Sequence, residues 1–308
     1  MFSTLRSIIS AIVGRTTSVP SPSILHGRPT QAPTSRHEIR ELLASALSEK
    51  CSCEICSSAE YSNQATLCPV EHAPTDIIIQ PCRQPMLQDP ETDLWPYNAM
   101  HLARATVRYF TRSIKQFDKY QRMSAAYCRN MFQDEEFMGA LNKEDCRNTL
   151  NEGLMLILVR NLGQVFFFGE VNVVEFRWGE KDDKSVDTDG PYTMTIHPTA
   201  YDEEVGTPRS MQRIGAILHE LTRLFLRANS CACCMWASTD NFNQVGRGRA
   251  WHIIAKAIEE ADHFLLSLDY IDLRRQACLI ADVQDNFDRP SLHDIRAYGF
   301  ADLLEEGA

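Results

Sequence analysis

The sequence predicts an α+β fold, a small β-sheet with helices packed around it. Three observations predict it. Apolar residues recur at three- and four-residue spacing from residue 97 to about 162, which is the period of a buried helix face. Two short runs, 171–178 and 192–196, alternate instead, as half-buried strands do. Two further amphipathic stretches follow, at 211–227 and 251–268. The chain has 308 residues, 44% hydrophobic and 23% charged, the balance of a globular protein with a core.

In chain order, the first 36 residues hold no Asp or Glu but carry Arg6, Arg15, Arg28 and Arg36 with many Ser and Thr. Phe2, Leu5, Ile8, Ile9, Ile12 and Val13 share one helical face. This is the composition of a mitochondrial transit peptide, and equally that of a disordered tail. Residues 16–36, rich in Ser, Thr and Pro, read as linker. A short helix is expected over 37–48. The stretch 37–96 is otherwise an irregular, Cys-containing region among prolines. Cys51, Cys53, Cys56, Cys68 and His72 form a weak candidate zinc group there. Their spacing matches no known finger, and scattered free thiols are the simpler reading.

From residue 97, Met100, Ala103, Val107, Phe110, Ile114 and Phe117 repeat with helical spacing, and helical stretches are expected at 119–141 and 143–162. Residues 165–168 form an apolar run closed by Gly169, expected as a strand. Val171, Val173, Val174, Phe176 and Trp178 belong to the next strand. It is expected to pair with 192–197 as a hairpin, across a loop holding Glu180, Asp182, Asp183, Asp187 and Asp189. Ile214, Ile217, Leu218, Leu221, Leu224 and Phe225 define the strongest amphipathic helix, and Ile254, Ala257, Ile258, Ala261 and Leu265 another. Residues 271–308 read as a partly helical tail.

The net charge of −10 argues against a surface-wide attraction for nucleic acid. Arg-rich stretches such as 104–115, from Arg104 to Lys115, leave room for a local basic patch. No apolar run is long enough to span a membrane. Eleven cysteines in a chain too large to need disulfide staples suggest an intracellular protein with reduced thiols.

The chemistry-bearing segment is 214–258. His219-Glu220 opens like an HExxH helix, in which histidines one turn apart grip zinc and the glutamate activates a water. The fifth position is Arg223. Downstream, Gly246-Arg247-Gly248 precedes Trp251. A guanidinium stays protonated and has no lone pair for a metal. His252 lies about 140° around a helix from position 247, on the wrong side to replace it. Glu220 and Arg223, three apart on a helix, are within pairing reach.

Taken with FFFGEV, VEFRWGE, YTMTIHP, ILHELTRLFL and VGRGRAWHIIAKAIEE, the order of elements resembles the SprT-like domain. This is the zincin-type metalloprotease domain of proteases that cut DNA–protein crosslinks. The resemblance spans roughly residues 100–270 and implies a zincin-like domain at 97–270. It implies that His219 matches the first zinc ligand and Glu220 the general base, while Arg223 and Arg247 stand where the second and third ligands belong. Cys231, Cys233 and Cys234, in the intervening loop, are alternative ligands if the site has been rebuilt. The expected function is therefore a catalytically inactive binding or scaffolding module with no cofactor at the degenerate site. The alternatives are an atypical active metallopeptidase that does hold zinc, and a DNA-associated repair factor, which the acidic composition disfavours. The partner is a protein or peptide that the sequence does not name. The resemblance implies a nuclear location where the N-terminal composition implies a mitochondrial one.

Overall fold

The computed structural model describes residues 35–46, 99–171, 173–179, 193–197, 206–230, 248–284 and 290–305. All of them fall in one compact unit, Pro33–Ala308. The elements are α1 (Arg36–Ala46), α2 (Ala99–Thr111), a 3-10 turn (Ile114–Gln116), α3 (Lys119–Gln133), α4 (Glu135–Asn142), α5 (Glu152–Phe166), β1 (Glu175–Trp178), β2 (Thr193–Ile196), α6 (Arg209–Asn229), α7 (Arg249–Leu266), α8 (Arg275–Gln284), α9 (Leu292–Ala297) and α10 (Asp302–Glu305). The described residues are thus mostly helical with one two-stranded sheet, compatible with α+β. The N-terminal 1–34, the cysteine-bearing 47–98 and the loop 231–247 lie outside the described residues.

Capping residues set the helix boundaries. The stretch expected as one helix over 119–141 is two, because Asp134 turns extended and its carboxylate accepts from the backbone N–H groups of Glu136 and Phe137, starting a new helix. The next helix begins only at Glu152, where Asn151 accepts from the Leu154 amide. Between them the chain turns around Arg213 of α6, whose buried guanidinium donates to the carbonyls of Leu141, Lys143 and Glu144. Those carbonyls belong to the last turn of α4 and the residues just after it, where helix geometry leaves acceptors unused.

Two strand expectations need correction. Val165 and Phe166 are the last residues of α5, not a strand. Phe168 and Gly169 take positive φ, and the Gly169 amide closes back on the Gly163 carbonyl, the left-handed ending of a helix. A short buried apolar run carries no period that separates strand from helix. The pairing of β1 with β2 is as expected, but the strands run parallel, with Glu175 opposite Thr193 and Trp178 opposite Ile196. The hairpin is therefore wrong. The long connection 179–192 serves a parallel pair, which needs a crossover of a dozen or more residues, better than a hairpin, which needs two to five.

The core forms where α7 lies along α2 and beside α6. Met100, Ala103 and Val107 of α2, Ile217, Leu221 and Phe225 of α6, and Trp251, Ile254 and Ile258 of α7 are buried. The segment beyond 270 belongs to the same core: Ile271, Leu273, Cys278, Leu279, Ile295 and Tyr298 are buried, and α1 packs on α8 and α10. At Gly215 the backbone of the 271–273 segment comes so close to α6 that an added Cβ would run into the Asp272 carbonyl oxygen. Among the described residues no helix is long and apolar enough to cross a membrane.

Candidate functional site

The site is built on the middle of α6 and covered by α7 and the segment after it. His219 sits mid-helix, as expected. Its ring packs against Trp251, with ring centroids 4.7 Å apart. The indole of Trp251 donates to the His219 carbonyl at 3.3 Å. Nδ1 of His219 lies 3.1 Å from the carbonyl oxygen of Leu273. The backbone of 271–273 therefore seals one side of the histidine.

Glu220 is buried, at 2% exposure. Arg223, one turn on, holds its carboxylate in a fork: Nε is 3.0 Å from each oxygen and Nη2 is 2.6 Å from Oε1. This is the expected guanidinium–carboxylate contact, in the planar two-point form that arginine favours. Arg247 lies outside the described residues, as do Cys231, Cys233 and Cys234, and Cys51, Cys53, Cys56, Cys68 and His72. The described cysteines, Cys128, Cys146 and Cys278, are buried thiols, and burial pushes Cys128 up to about 12.

His252 is drawn away from α6. Its ring stacks on Tyr298 at 4.5 Å, and Nε2 is 3.8 Å from Asp282, so it faces α8 and the turn after α9. This agrees with the helical-wheel argument that it cannot stand in for position 247.

Sequence reasoning missed the clamp that holds the 268–275 segment over the site. Asp262 accepts from the Ile271 amide at 2.7 Å, and Glu259 accepts from the Leu273 amide at 2.9 Å and from Arg275 at 2.6 Å. Burial pushes the pKa of both carboxyls up, offset in part by those donors. Ser267 and Arg274, both with left-handed backbone, bracket the segment. The hint in the sequence is the i, i+3 spacing of Glu259 and Asp262, which puts both acids on one side of α7.

The described donor set does not fit zinc held as the resemblance implies. His219 offers one imidazole. Arg223 has no lone pair, and the oxygens of Glu220 that a metal-bound water would approach already accept from its guanidinium. Among the described residues no group of three or more His, Cys, Asp or Glu side chains could hold a metal ion. Comparison of the chain with protein-family models, with curated proteins and with solved structures gives no match.

Proposed function

We propose that this chain carries a non-catalytic SprT-like domain, derived from a zinc metallopeptidase, that serves as a protein- or peptide-binding module. The observation that supports this most is the fork of Arg223 on the buried carboxylate of Glu220. The guanidinium supplies inside the helix the positive charge that a metal would bring to the glutamate. It does so without a site at which water could be polarised. A second reading, an atypical active peptidase, draws on His219. Its Nδ1 faces a backbone carbonyl, the arrangement that in metal sites turns Nε2 to the metal.

Metal analysis and peptidase assays on the purified full chain separate the two. The expected outcome is no zinc attributable to His219 and no hydrolysis of unfolded protein substrates. Restoring the histidines, Arg223→His with Arg247→His, is expected to raise zinc uptake above either single change. Stoichiometric zinc that disappears in His219→Ala would overturn the proposal in favour of the rebuilt metal site.

A further inference from the structure

Three arginines are buried among the described residues: Arg104 at 4% exposure, Arg213 at 0% and Arg249 at 2%. Two make hydrogen bonds to the protein through their guanidinium groups. Arg213 is surrounded by three carbonyls, and Arg249 forms a fork with Asp294 at 2.6–2.7 Å. Arg104 is different. Its Nη2 is buried with no hydrogen-bond acceptor, and among the described residues its side chain has neither a hydrogen bond nor an ion pair. A buried, permanently charged group without a counter-charge is among the costliest arrangements a fold can keep.

Arg108 stands one turn further along α2, half-buried, and it too has no hydrogen-bond or ion-pair partner among the described residues. Residues four apart lie on one face of a helix, about 5–6 Å between Cβ atoms. Two like charges at that spacing repel and weaken the helix unless an anion lies between them. The rest of α2 is packed: Met100, Leu102, Ala103, Thr106, Val107, Tyr109 and Phe110 are all buried, and its exposed end is Thr111. The seam of Arg104 and Arg108 is thus a cationic strip on a largely buried helix, placed in a chain of net charge −10.

We propose that Arg104 and Arg108 bind an oxyanion, the phosphate or carboxylate group of a small ligand. The guanidinium fork matches either group with two parallel N–H donors, and burial of Arg104 makes each bond stronger than at the surface. The proposal uses neither Glu220 nor Arg223, so it stands or falls independently of the function proposed above.

The test is thermal unfolding of the full chain in inorganic phosphate, acetate or chloride at matched ionic strength. A saturable rise in Tm is expected with one of the two oxyanions and not with chloride, about 3–6 °C at ten times Kd. A larger response to phosphate assigns a phosphoryl ligand, and a larger response to acetate a carboxylate. The response should vanish in Arg104→Gln, weaken in Arg108→Gln and persist in Arg122→Gln, which removes an exposed arginine of α3. Should Arg104→Gln not fold, the Arg108→Gln arm decides. The same response to chloride as to the oxyanions, or a full response in Arg108→Gln, would overturn the proposal and leave Arg104 a structural arginine bridged by water.

Discussion

Two arginine–carboxylate forks among the described residues involve a fully buried carboxylate, and they do different things. Arg223 and Glu220 are three residues apart on α6, with side chains 20% and 3% exposed. Arg249 and Asp294 are 45 residues apart, 3% and 1% exposed. The first closes within a single helix. The second fastens α9 to the first turn of α7, where Asp294 also accepts from the backbone and hydroxyl of Ser291. With Glu259 on Arg275 and Asp262 on the Ile271 amide, it makes α7 the post to which the segment after it is tied, through Ile271, Arg275 and Asp294. A local fork neutralises a charge, whereas a long-range one also determines which parts of the chain meet.

The largest effect should come from breaking the long-range fork. Arg249→Ala strands a buried carboxylate and is expected to lower unfolding stability by about 3–5 kcal/mol, measured by urea titration. If the loss is under about 1 kcal/mol, Asp294 is not fastened as described.

Next is the seam between the two regions. Gly215→Ala places a methyl against the Asp272 carbonyl, backbone that cannot swing aside. A loss of about 1–3 kcal/mol is expected from this overpacking, together with a changed environment for Trp251 in its fluorescence. An Ala variant as stable as the parent would mean that the 271–273 segment does not lie on α6.

Breaking the local fork should cost less. Arg223→Ala is expected to lose about 1–2 kcal/mol, because solvent reaches the guanidinium and can partly replace it. Adding Glu220→Gln should recover part of the loss, since a neutral amide is cheaper to bury than an unpaired carboxylate. A cycle with no coupling between 220 and 223 would remove the physical support for the non-catalytic reading.

The smallest effect is a pH dependence. Asp262 and Glu259 have carboxyl pKa values raised by burial, so between the ordinary carboxylate range and those raised values the folded state binds more protons than the unfolded. Stability contributed by these groups therefore falls as pH rises through that window. Asp262→Asn, which keeps an acceptor for the Ile271 amide, should flatten the slope of Tm against pH there. An unchanged slope would show that Asp262 does not titrate within it.

The contrast also marks what could be read from the chain. The Glu220–Arg223 contact, the helical placement of His219 and the diversion of His252 follow from positions within a turn or two of one another. The apolar stripes of α2, α6 and α7 were legible for the same reason, and so was the pairing of β1 with β2. The break at Asp134 was signalled only by a capping residue, and the end of α5 by Gly169 after a run that reads equally well as strand.

The sequence by itself determined the periodic elements and the local charge pairing on α6, because helix and strand geometry relate residues at fixed short spacings. Only the tertiary structure decided that β1 and β2 run parallel, that Leu273 covers His219, that Asp294 answers Arg249 and that Arg104 is buried without an answer. Each of these depends on which distant backbone arrives beside a side chain. That is settled by how the apolar faces pack together, and no short-range pattern records it.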